Sequence, residues 1–438
     1  MRRIHIYVTA TTAWTNWAET ATANPTTVAV PTDRAAIAEL VKAGHDRGGR
    51  VKAVGSGHSF TSIAAADDVL VRLDRYRPEP GVNTDTGEVT VGAGTPLHEL
   101  NPLLARHGLA MPNLGDIDVQ TLAGATSTGT HGTGARLGGL ATFISGITLV
   151  DGTGQVRRFT GDDPELAGAA LGLGALGIVT DITVRCVPAF TLVADERPMP
   201  LDRVIAEFDS FAADNDHVEF YWFPRADRAL VKRNNRGEAG RPLPGWRRRL
   251  DDELLSNTLY GVLCGLSRRV PALVPAVTAV SARALSARTY TDASYRVFCT
   301  PRTVRFAEME YAVPRAAFAE AFAALRREAS SRRVVFPVEV RVAAADDLWM
   351  STAHGRDSVY FAVHQYRGMP YREYFDAIEA IMRDHDGRPH WGKLHNRTAA
   401  DLAPAYPRFG DFTALRDRLD PDRVFGNAYL DRVLGDRS

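Results

Sequence analysis

The chain has few cysteines, and their arrangement excludes two kinds of site. Cys186, Cys264 and Cys299 are scattered among 438 residues and are odd in number. They have neither the spacing of a metal-ligand set nor the density of a disulfide framework. We therefore expect free thiols in the reducing cytoplasm, and no bound metal.

The sequence also lacks an excess of charge of either sign. Lysine and arginine together number 52, and so do aspartate and glutamate. A nucleic-acid-binding protein would show a basic excess or a basic stripe, so nucleic acid is not an expected partner. Net charge gives no reason to expect membrane contact either. Lysine itself is rare, and its only positions are Lys42, Lys52, Lys232 and Lys393.

Long apolar runs are absent too. The nearest candidate, Leu254 to Leu266, is interrupted by the polar residues 256–258 and followed by Arg268 and Arg269. It is too short and too polar to span a membrane. The opening residues 1–8 do not lead into a clear signal peptide, so a cytoplasmic location is expected.

What the sequence does contain is a glycine-rich loop that carries a histidine. Gly55-Ser56-Gly57-His58-Ser59 follows the apolar run Val51 to Val54. Glycines after a strand let the backbone approach a ligand closely and turn its N–H groups toward phosphate. A flavin dinucleotide offers a pyrophosphate to such a loop and a reactive ring methyl to the histidine. From this loop alone, an ordinary turn with an ordinary histidine is an equal alternative.

Helix and strand signals alternate through residues 31–150. Asp33 predicts a capped helix from Arg34 to Ala43, and a second helix is expected from Thr95 to His107. Short strands are expected at Val51–Val54, Val69–Leu73, Val89–Gly92, Ile144–Val150 and Ile178–Cys186. Pro188 marks a domain boundary, and a polar loop is expected over residues 234–245.

Two further segments are rich in glycine. Ala123 to Gly134 cannot build a core through its own side chains, and it fits backbone packed against a large ligand, with a flexible linker as the alternative. Leu171 to Gly177 is a similar close-approach segment. Leu254 to Arg288 reads as helical and apolar, interrupted at Arg268 to Pro271. Two packed core or interface helices are expected there, and a monotopic membrane contact is the minority alternative.

Several motifs taken together resemble one protein family. They are Trp14-Thr15-Asn16-Trp17-Ala18, the His58 loop, the Ala123 to Gly134 segment, Val335-Phe336-Pro337-Val338-Glu339-Val340-Arg341, Arg388-Pro389-His390-Trp391-Gly392-Lys393-Leu394-His395-Asn396, and Leu419-Asp420-Pro421 through Asn427-Ala428-Tyr429-Leu430. In this order they resemble the vanillyl-alcohol-oxidase-type flavoproteins. Within these, they are most similar to the sugar-1,4-lactone oxidases (L-gulonolactone and D-arabinonolactone oxidase) and, slightly less, to the bacterial alditol oxidases.

The resemblance implies an α+β fold. Residues 14–188, joined by the C-terminal segment 386–438, would form a two-subdomain FAD-binding domain of the PCMH type. Residues 189–385 would form a substrate-binding cap domain with a large antiparallel sheet. FAD would be bonded covalently to His58 through the flavin ring methyl. Because no cysteine falls within the N-terminal cofactor segments, a single link is expected.

The resemblance also assigns the cofactor-binding residues. They are Ala53, Val54, Gly55, Ser56, Gly57, His58, Ser59, Gly115, Asp116, Ala123, Gly124, Ala125, Thr126, Gly129, His131, Ile178 and Lys393. The family places Lys393 at the pyrimidine edge of the flavin, where a fixed positive charge stabilises the reduced anion. A solvated lysine is the alternative.

Glu339 and Arg341 are candidate catalytic and substrate-binding residues. They are two apart in a β-rich run, so both side chains share one strand face, while Val338 and Val340 point to the other. A carboxylate and a guanidinium that point together into a cavity would bind a polyol or lactone by forked hydrogen bonds, as the matching pair does in alditol oxidases. A surface ion pair is the alternative.

Three further residues are candidates on the substrate side. Glu308 shares a strand face with Glu310, and either one faces substrate or both lie on a solvated sheet face. His364 is the candidate general base because an imidazole titrates near working pH, with a core histidine as the alternative. Asp118 is a weaker candidate.

The resemblance implies an FAD-dependent oxidoreductase acting on CH–OH donors. It would oxidise a sugar-1,4-lactone, such as D-arabinono-1,4-lactone or L-gulono-1,4-lactone, by hydride transfer to flavin N5. The alternative is an alditol oxidase acting on xylitol or sorbitol. A flavin-binding protein without turnover is a third reading, but it would not need Glu339, Arg341 and Lys393. Oxygen or a redox protein would accept the electrons.

Overall fold

The computed structural model describes residues 6–9, 13–238, 240–245 and 258–436. Its strands are β1 Ile6–Thr9, β2 Trp14–Thr15, β3 Thr22–Ala23, β4 Thr27–Pro31, β5 Val51–Val54, β6 Val69–Arg72, β7 Gly81–Asn83, β8 Glu88–Gly92, β9 Leu109–Ala110, β10 Ile144–Val150, β11 Val156–Thr160, β12 Ile178–Arg185, β13 Val187–Pro188, β14 Thr191–Pro200, β15 His217–Trp222, β16 Arg228–Arg236, β17 Arg288–Ala293, β18 Phe306–Pro314, β19 Val338–Ala343, β20 Ser358–Tyr366 and β21 Arg388–Pro389.

Helices lie between and after these strands. They are α1 Arg34–Asp46, α2 Leu97–Arg106, α3 Leu122–Ser127, α4 Leu166–Ala169, α5 Leu201–Asp214, α6 Tyr260–Arg269, α7 Val274–Ala284, α8 Ser294–Phe298, α9 Phe318–Ser331, α10 Arg372–Asp384, α11 Ala399–Leu402, α12 Phe409–Leu419 and α13 Ala428–Leu434. Within the described ranges, no helix is long and apolar enough to cross a membrane.

A four-stranded sheet in the order β1-β4-β6-β5 opens the chain. Its strands β4, β6 and β5 are parallel, because α1 carries the chain back across the sheet between β4 and β5. Asp33 caps α1 by accepting a hydrogen bond from the Ala36 N–H at 2.8 Å. Ile37 and Val41 bury the apolar face of the helix against the sheet. The predicted helix and its cap are therefore confirmed, and the helix continues to Asp46.

A five-stranded sheet in the order β11-β10-β12-β8-β7 follows, and its paired strands are antiparallel. The strands predicted at Val51–Val54 and Ile144–Val150 have the expected bounds, and the strand predicted at Ile178–Cys186 ends one residue earlier. The side chains of β10 and β12 that face inward pack against α12 and α13 from the end of the chain. The C-terminal segment therefore returns to the first part of the fold.

The largest sheet has eight strands in the order β17-β14-β16-β15-β19-β20-β18-β21, and all its pairs are antiparallel. One face is covered by α5, α9 and α10, and Val338 and Val340 point into that apolar layer. Because side chains alternate along a strand, Glu339 and Arg341 point to the opposite face, as the sequence predicts. This large antiparallel sheet confirms the expectation for the middle of the chain.

Three local expectations have different outcomes in the structure. The polar loop predicted over residues 234–245 begins later, because β16 continues to Arg236 in register with β14 and β15. The segment Ala123 to Gly134 is not a linker, since α3 occupies its first half and the Ala125 side chain is buried in the core. Residues 254–257 of the predicted apolar helices lie outside the described residues, and the rest forms α6 and α7 with a break at Pro271 as expected.

Candidate active site

Two adjoining cavities lie between the sheets. The loop cavity, about 120 Å³, is bordered by the glycine-rich loop after β5. The sheet cavity, about 240 Å³, is bordered by the polar face of the eight-stranded sheet. The residues common to both walls are His58, Ser59, Gln120 and Thr128. The two cavities are therefore neighbouring parts of one cleft.

The loop cavity gathers the glycine-rich segments of the sequence. The predicted cofactor residues in its wall are Ala53, Val54, Gly55, Ser56, Gly57, His58, Ser59, Ala123 and Gly124. Gly57 has a φ of +69°, which a side chain would strain. At Gly177, a Cβ atom would lie 2.6 Å from the Val150 carbonyl oxygen. Glycine at position 177 is thus required by packing against β10, whereas the backbone of the Gly55 to Ser59 loop borders the cavity and suits the close approach of a dinucleotide.

His58 stands where the two cavities meet. Its ring stacks on Trp17 with 5.4 Å between centroids. Two hydrogen bonds hold the loop in place. The backbone N–H of Trp17 donates to the Gly57 carbonyl at 2.8 Å, and the Asn16 side-chain amide donates to the Ser59 carbonyl at 2.8 Å. Burial, with Lys393 nearby, lowers the pKa of His58 to about 4. Its imidazole is therefore neutral at pH 7 and keeps a free lone pair.

Lys52 lies beneath the same loop. Its ammonium donates to the Gly174 carbonyl at 2.8 Å and to the Phe425 carbonyl at 3.0 Å. Burial lowers the pKa of Lys52 to about 7. The side chain lines the loop cavity and ties β5 to a second glycine segment and to the C-terminal segment. The rarity of lysine was the only sequence signal for it.

Glu339 and Arg341 project into the sheet cavity together, as predicted. The Arg341 guanidinium contacts Glu339 and Asp116 closely, and its Nε lies 2.9 Å from the Glu219 carboxylate. All four side chains line or adjoin the cavity, and only Asp116 is more than marginally exposed. The alternative of an exposed surface pair is therefore wrong.

Tyr221 touches the same carboxylates. Its hydroxyl oxygen lies 3.1 Å from Glu339, 3.1 Å from Glu219 and 3.3 Å from Asp116. A phenol has one proton, so it donates to only one of these acceptors. The three carboxyl groups therefore compete for this one proton, and an ionised Glu339 is stabilised when the phenol donates to it.

Among these carboxyl groups, Glu339 is the one that holds its proton most readily near neutral pH. Burial raises the pKa of Glu339 to about 7, because burial together with the nearby Asp116 and Glu219 outweighs the lowering by Arg341. Burial also acts to raise the pKa of Asp116, but Arg341 and Arg302 hold it well below its usual range. Carboxyl groups this close cannot all ionise easily, so the pKa values separate.

Glu308, which is buried, and Lys393, which is partly exposed, form a second charged group on the cavity wall. The Lys393 ammonium lies 2.5 Å from Glu308. Burial acts to raise the pKa of Glu308, but Lys393 and His364 outweigh it and hold this pKa at about 2. Both side chains are in the cavity wall, so the alternatives of a solvated lysine and a solvated glutamate face are wrong.

His364 is placed between two acceptors. Its Nδ1 lies 3.1 Å from the Pro337 carbonyl oxygen, and its Nε2 lies 3.4 Å from the Glu308 carboxylate. Carbonyl and carboxylate oxygens only accept, so each ring nitrogen faces an atom to which only an N–H can donate. The histidine lines the cavity but is better placed as a proton donor to Glu308 than as a general base.

His131, Glu310 and His390 form a third buried group. The His131 Nε2 lies 3.2 Å from Glu310, and His131 Nδ1 lies 2.8 Å from the Gly132 carbonyl oxygen. The three side chains are close enough to share a metal ion. However, His390 Nδ1 accepts the Gly392 N–H at 3.0 Å, which leaves its proton on Nε2 when the ring is neutral. That protonation argues for hydrogen bonds to Glu310 rather than a metal.

Some of the other predicted residues line a cavity, and the rest lie in the core. Gly115, Asp116, Asp118 and His131 line the sheet cavity, and Gly129 lines a small adjoining pocket. Ala125, Thr126 and Ile178 have side chains in the core, and neither cavity wall includes them.

Sequence reasoning missed several residues of the site. They are Lys52, Glu219, Tyr221, Arg302 and His390. Glu219 and Tyr221 alternate in the apolar strand β15, and this spacing could have indicated a shared polar face. Arg302 comes from the segment before β18 and had no recognisable signal.

Comparisons with known proteins give the family context. A family model described as "D-arabinono-1,4-lactone oxidase" matches residues 182–433, and one described as "FAD binding domain" matches residues 25–160. The chain is 43% identical to an L-gulono-1,4-lactone dehydrogenase of Mycobacterium tuberculosis, covering 96% of this chain and 99% of that protein.

More distant relatives extend this picture. An L-gulonolactone oxidase of Bos taurus is 32% identical, covering 95% of this chain and 97% of the relative. An alditol oxidase of a Streptomyces species is 32% identical, covering 97% and 99%. A crystal structure of cholesterol oxidase from B. sterolicum matches with a TM-score of 0.84 at 19% identity, covering 99% of this chain and 98% of that one, and it shows the shared fold alone.

Proposed function

Because this chain belongs to the D-arabinono-1,4-lactone oxidase family of FAD-dependent oxidoreductases, we propose that it oxidises a CH–OH group of a sugar-1,4-lactone. Its membership of the family and its α+β fold agree with the sequence expectations and are confirmed. D-arabinono-1,4-lactone and L-gulono-1,4-lactone are the model substrates. The observation that carries the proposal is the buried Glu339–Arg341 pair, which faces a cavity next to the glycine-lined cleft.

The protein must hold the carbinol carbon and remove the hydroxyl proton. FAD, when bound, supplies the acceptor for the hydride, at flavin N5. Arg341 and Glu339 bind the hydroxyl groups of the substrate by forked hydrogen bonds, and the carboxylates of Asp116 and Glu219 fix the guanidinium. Such fixed groups orient the substrate without reorganising during the reaction.

Glu339 is the general base in this proposal. A base works best when its pKa lies near the working pH, and the pKa of Glu339 is raised to about 7. His364, the base expected from the sequence, has acceptors at both ring nitrogens and takes a different role. It faces Glu308, whose charge is offset by the Lys393 ammonium, and that ammonium places a positive charge where negative charge develops on reduction.

The loop cavity is the proposed FAD site, with a covalent bond between His58 and the flavin ring methyl. The neutral imidazole and its place at the junction of the two cavities support this link. Lys52, whose third ammonium hydrogen has no acceptor among its described hydrogen bonds, lies where it can face the dinucleotide. We also propose that residues 14–188 and 386–438 form the FAD-binding domain and residues 189–385 the cap.

The covalent link predicts a simple result for His58→Ala. The wild-type protein should keep its yellow colour in the polypeptide band after denaturation, whereas the variant should release all its flavin. Fluorescence of the denatured band measures this directly. Flavin that stays attached to the variant would mean that another residue forms the link.

Anaerobic bleaching of the visible flavin band tests the substrate class. The substrates would be L-gulono-1,4-lactone, L-galactono-1,4-lactone, D-arabinono-1,4-lactone, xylitol and sorbitol. Rapid bleaching by a lactone but not by the polyols supports the proposal. Bleaching by polyols alone would instead favour alditol oxidation, the second candidate, for which the alditol oxidase relative is the specific observation.

Two further assignments belong to the proposal. The electron acceptor is oxygen or a redox protein, and comparing hydrogen peroxide release with reduction of cytochrome c during lactone turnover distinguishes them. The protein is placed in the cytoplasm, where its three unpaired cysteines stay reduced. Fractionation of cells that express the full chain tests this placement, and recovery outside the cytoplasmic compartment would contradict it.

A further inference from the structure

The outer face of α6 carries an apolar stripe. Leu259, Val262, Leu266 and Val270 follow one another at spacings of three, four and four residues, which places them on one side of a helix. Their exposed fractions are 48%, 64%, 43% and 44%. Val280 on α7 is 56% exposed. Such a regular stripe normally faces a partner, and here it faces outward.

The inner faces of the same two helices are already packed. Cys264, Val274 and Val277 are buried in a cluster with Phe306 and Phe336. The hairpin formed by α6 and α7 is therefore fixed on the body of the protein, with its orientation set by that cluster. The outer stripe is an additional apolar surface beyond the one that folding buries.

Within residues 258–285, which form the described hairpin, every charged side chain is an arginine. The tip of the hairpin carries Arg268 and Arg269, and Arg283 follows on α7. The sequence has no aspartate or glutamate between residues 254 and 291. Within the part of the chain that the structure describes, none of these three arginines forms an ion pair with a carboxylate. The surface therefore presents apolar side chains and uncompensated positive charge together.

We propose that the α6–α7 hairpin docks on an anionic lipid surface. A helix that lies in the plane of a membrane has an apolar stripe for the acyl boundary and arginines for the headgroups. A second copy of this chain fits less well, because a symmetric contact would bring the arginines of both copies together. The sequence offered membrane contact only as a minority alternative, and the exposed stripe now favours it over two fully packed helices.

The docking surface lies close to the candidate active site. The cluster beneath the hairpin includes Phe60 and Phe306, which also line the sheet cavity. Docking therefore places the reaction site one packing layer from the lipid headgroups. The inference stands on the surface alone and holds whether or not the substrate is a lactone.

Co-sedimentation with vesicles tests the proposal on the full-length, flavin-loaded protein. We expect binding to phosphatidylcholine vesicles that contain phosphatidylglycerol, weak binding to phosphatidylcholine alone, and release at high salt. Val262→Asp should weaken binding roughly tenfold or more, since it replaces an aliphatic side chain that docking would bury in the lipid with a charged one. Replacing Arg268 and Arg269 by glutamine should weaken binding about fivefold for each arginine removed.

The matched control is Val156→Asp. Val156 on β11 is 49% exposed and lies on a different sheet from the hairpin, so this variant should bind vesicles as the wild type does. All variants should keep wild-type flavin content, which shows that they fold. Absence of binding to anionic vesicles, or equal binding by Val262→Asp, would overturn the proposal. A concentration-dependent dimer that Val262→Asp disrupts would also overturn it, by assigning the stripe to self-association.

Discussion

The protonation of Glu339 depends on the residues that crowd it. Arg341 alone would keep its carboxyl group ionised, but burial and the neighbouring Asp116 and Glu219 act in the opposite direction. The result is a carboxyl group that can gain or lose a proton near neutral pH. This property comes from the assembled cluster, since a glutamate two residues from an arginine on an isolated strand would simply be ionised.

The raised pKa of Glu339 predicts how the rate of substrate oxidation depends on pH. Below about pH 7 the carboxyl group is protonated and cannot accept the hydroxyl proton, so the rate should fall about tenfold per pH unit. Above pH 7 the ionised form dominates and the rate should level off. Anaerobic flavin reduction measured from pH 5 to pH 9 checks this. A rate that is flat through pH 7 would contradict the assignment.

Tyr221→Phe should shift the pH at which the rate of substrate oxidation is half its maximum. The hydroxyl of Tyr221 lies 3.1 Å from Glu339 and stabilises its ionised form when it donates. Losing a hydrogen bond worth about 1 kcal/mol should move the midpoint upward by somewhat less than one pH unit. Tyr295→Phe, on α8 outside both cavity walls, is the control and should leave the midpoint unchanged. A downward shift with Tyr221→Phe would mean that the phenol stabilises the protonated form instead.

At the level of the elements, period-two alternation was enough to predict one face of β19. It placed Glu339 and Arg341 together and Val338 and Val340 on the packed face. It could not supply Glu219 and Asp116, which reach Arg341 from β15 and from a loop far away in sequence. Strand order and register decide those contacts, and both depend on pairing between distant segments.

Glycine content predicted the loop cavity less completely. The His58 loop, Gly124 and the Leu171 to Gly177 segment all meet in its wall. Ala125 and Thr126 belong to a helix whose inner side is core, and a glycine-rich pattern does not reveal such a short helix. The tautomer argument for His364 also needed coordinates, because it depends on which atoms face each nitrogen.

Comparing alanine variants of two glycines that share a backbone conformation distinguishes the effect of backbone strain from the effect of lost cofactor contact. Gly57 has a φ of +69° and lines the loop cavity. Gly48 has a φ of +66°, and a Cβ atom at that position would have no neighbouring atom within 4 Å. Alanine at either position should cost about 1–2 kcal/mol of folding free energy. Only Gly57→Ala should also lower the FAD content of the purified protein. Equal flavin loss in both variants would show that instability alone is responsible.

On the scale of the whole molecule, the cleft depends on the return of the C-terminal segment. The two N–H groups of the Asn427 side chain are shared among the carbonyls of Ser62, Ile63 and Ala65, just after the His58 loop, at N···O distances of 3.0–3.1 Å. Trp391 and Lys393 approach the same loop from the other side, with the Gly392 carbonyl accepting the Phe60 N–H. Segments separated by more than 300 residues thus complete one site. The order of the motifs in the sequence suggested that they belong together, but only the fold shows where each one lies.

The most direct test of the account compares wild type with Glu339→Gln in anaerobic flavin reduction by L-gulono-1,4-lactone. The wild type should bleach rapidly. The variant should keep its full flavin content but reduce roughly 10²–10⁴ times more slowly, because it lacks the general base. Glu320→Gln, an exposed position on α9, should behave as wild type. Bleaching of Glu339→Gln at the wild-type rate would contradict the central claim that Glu339 accepts the substrate proton.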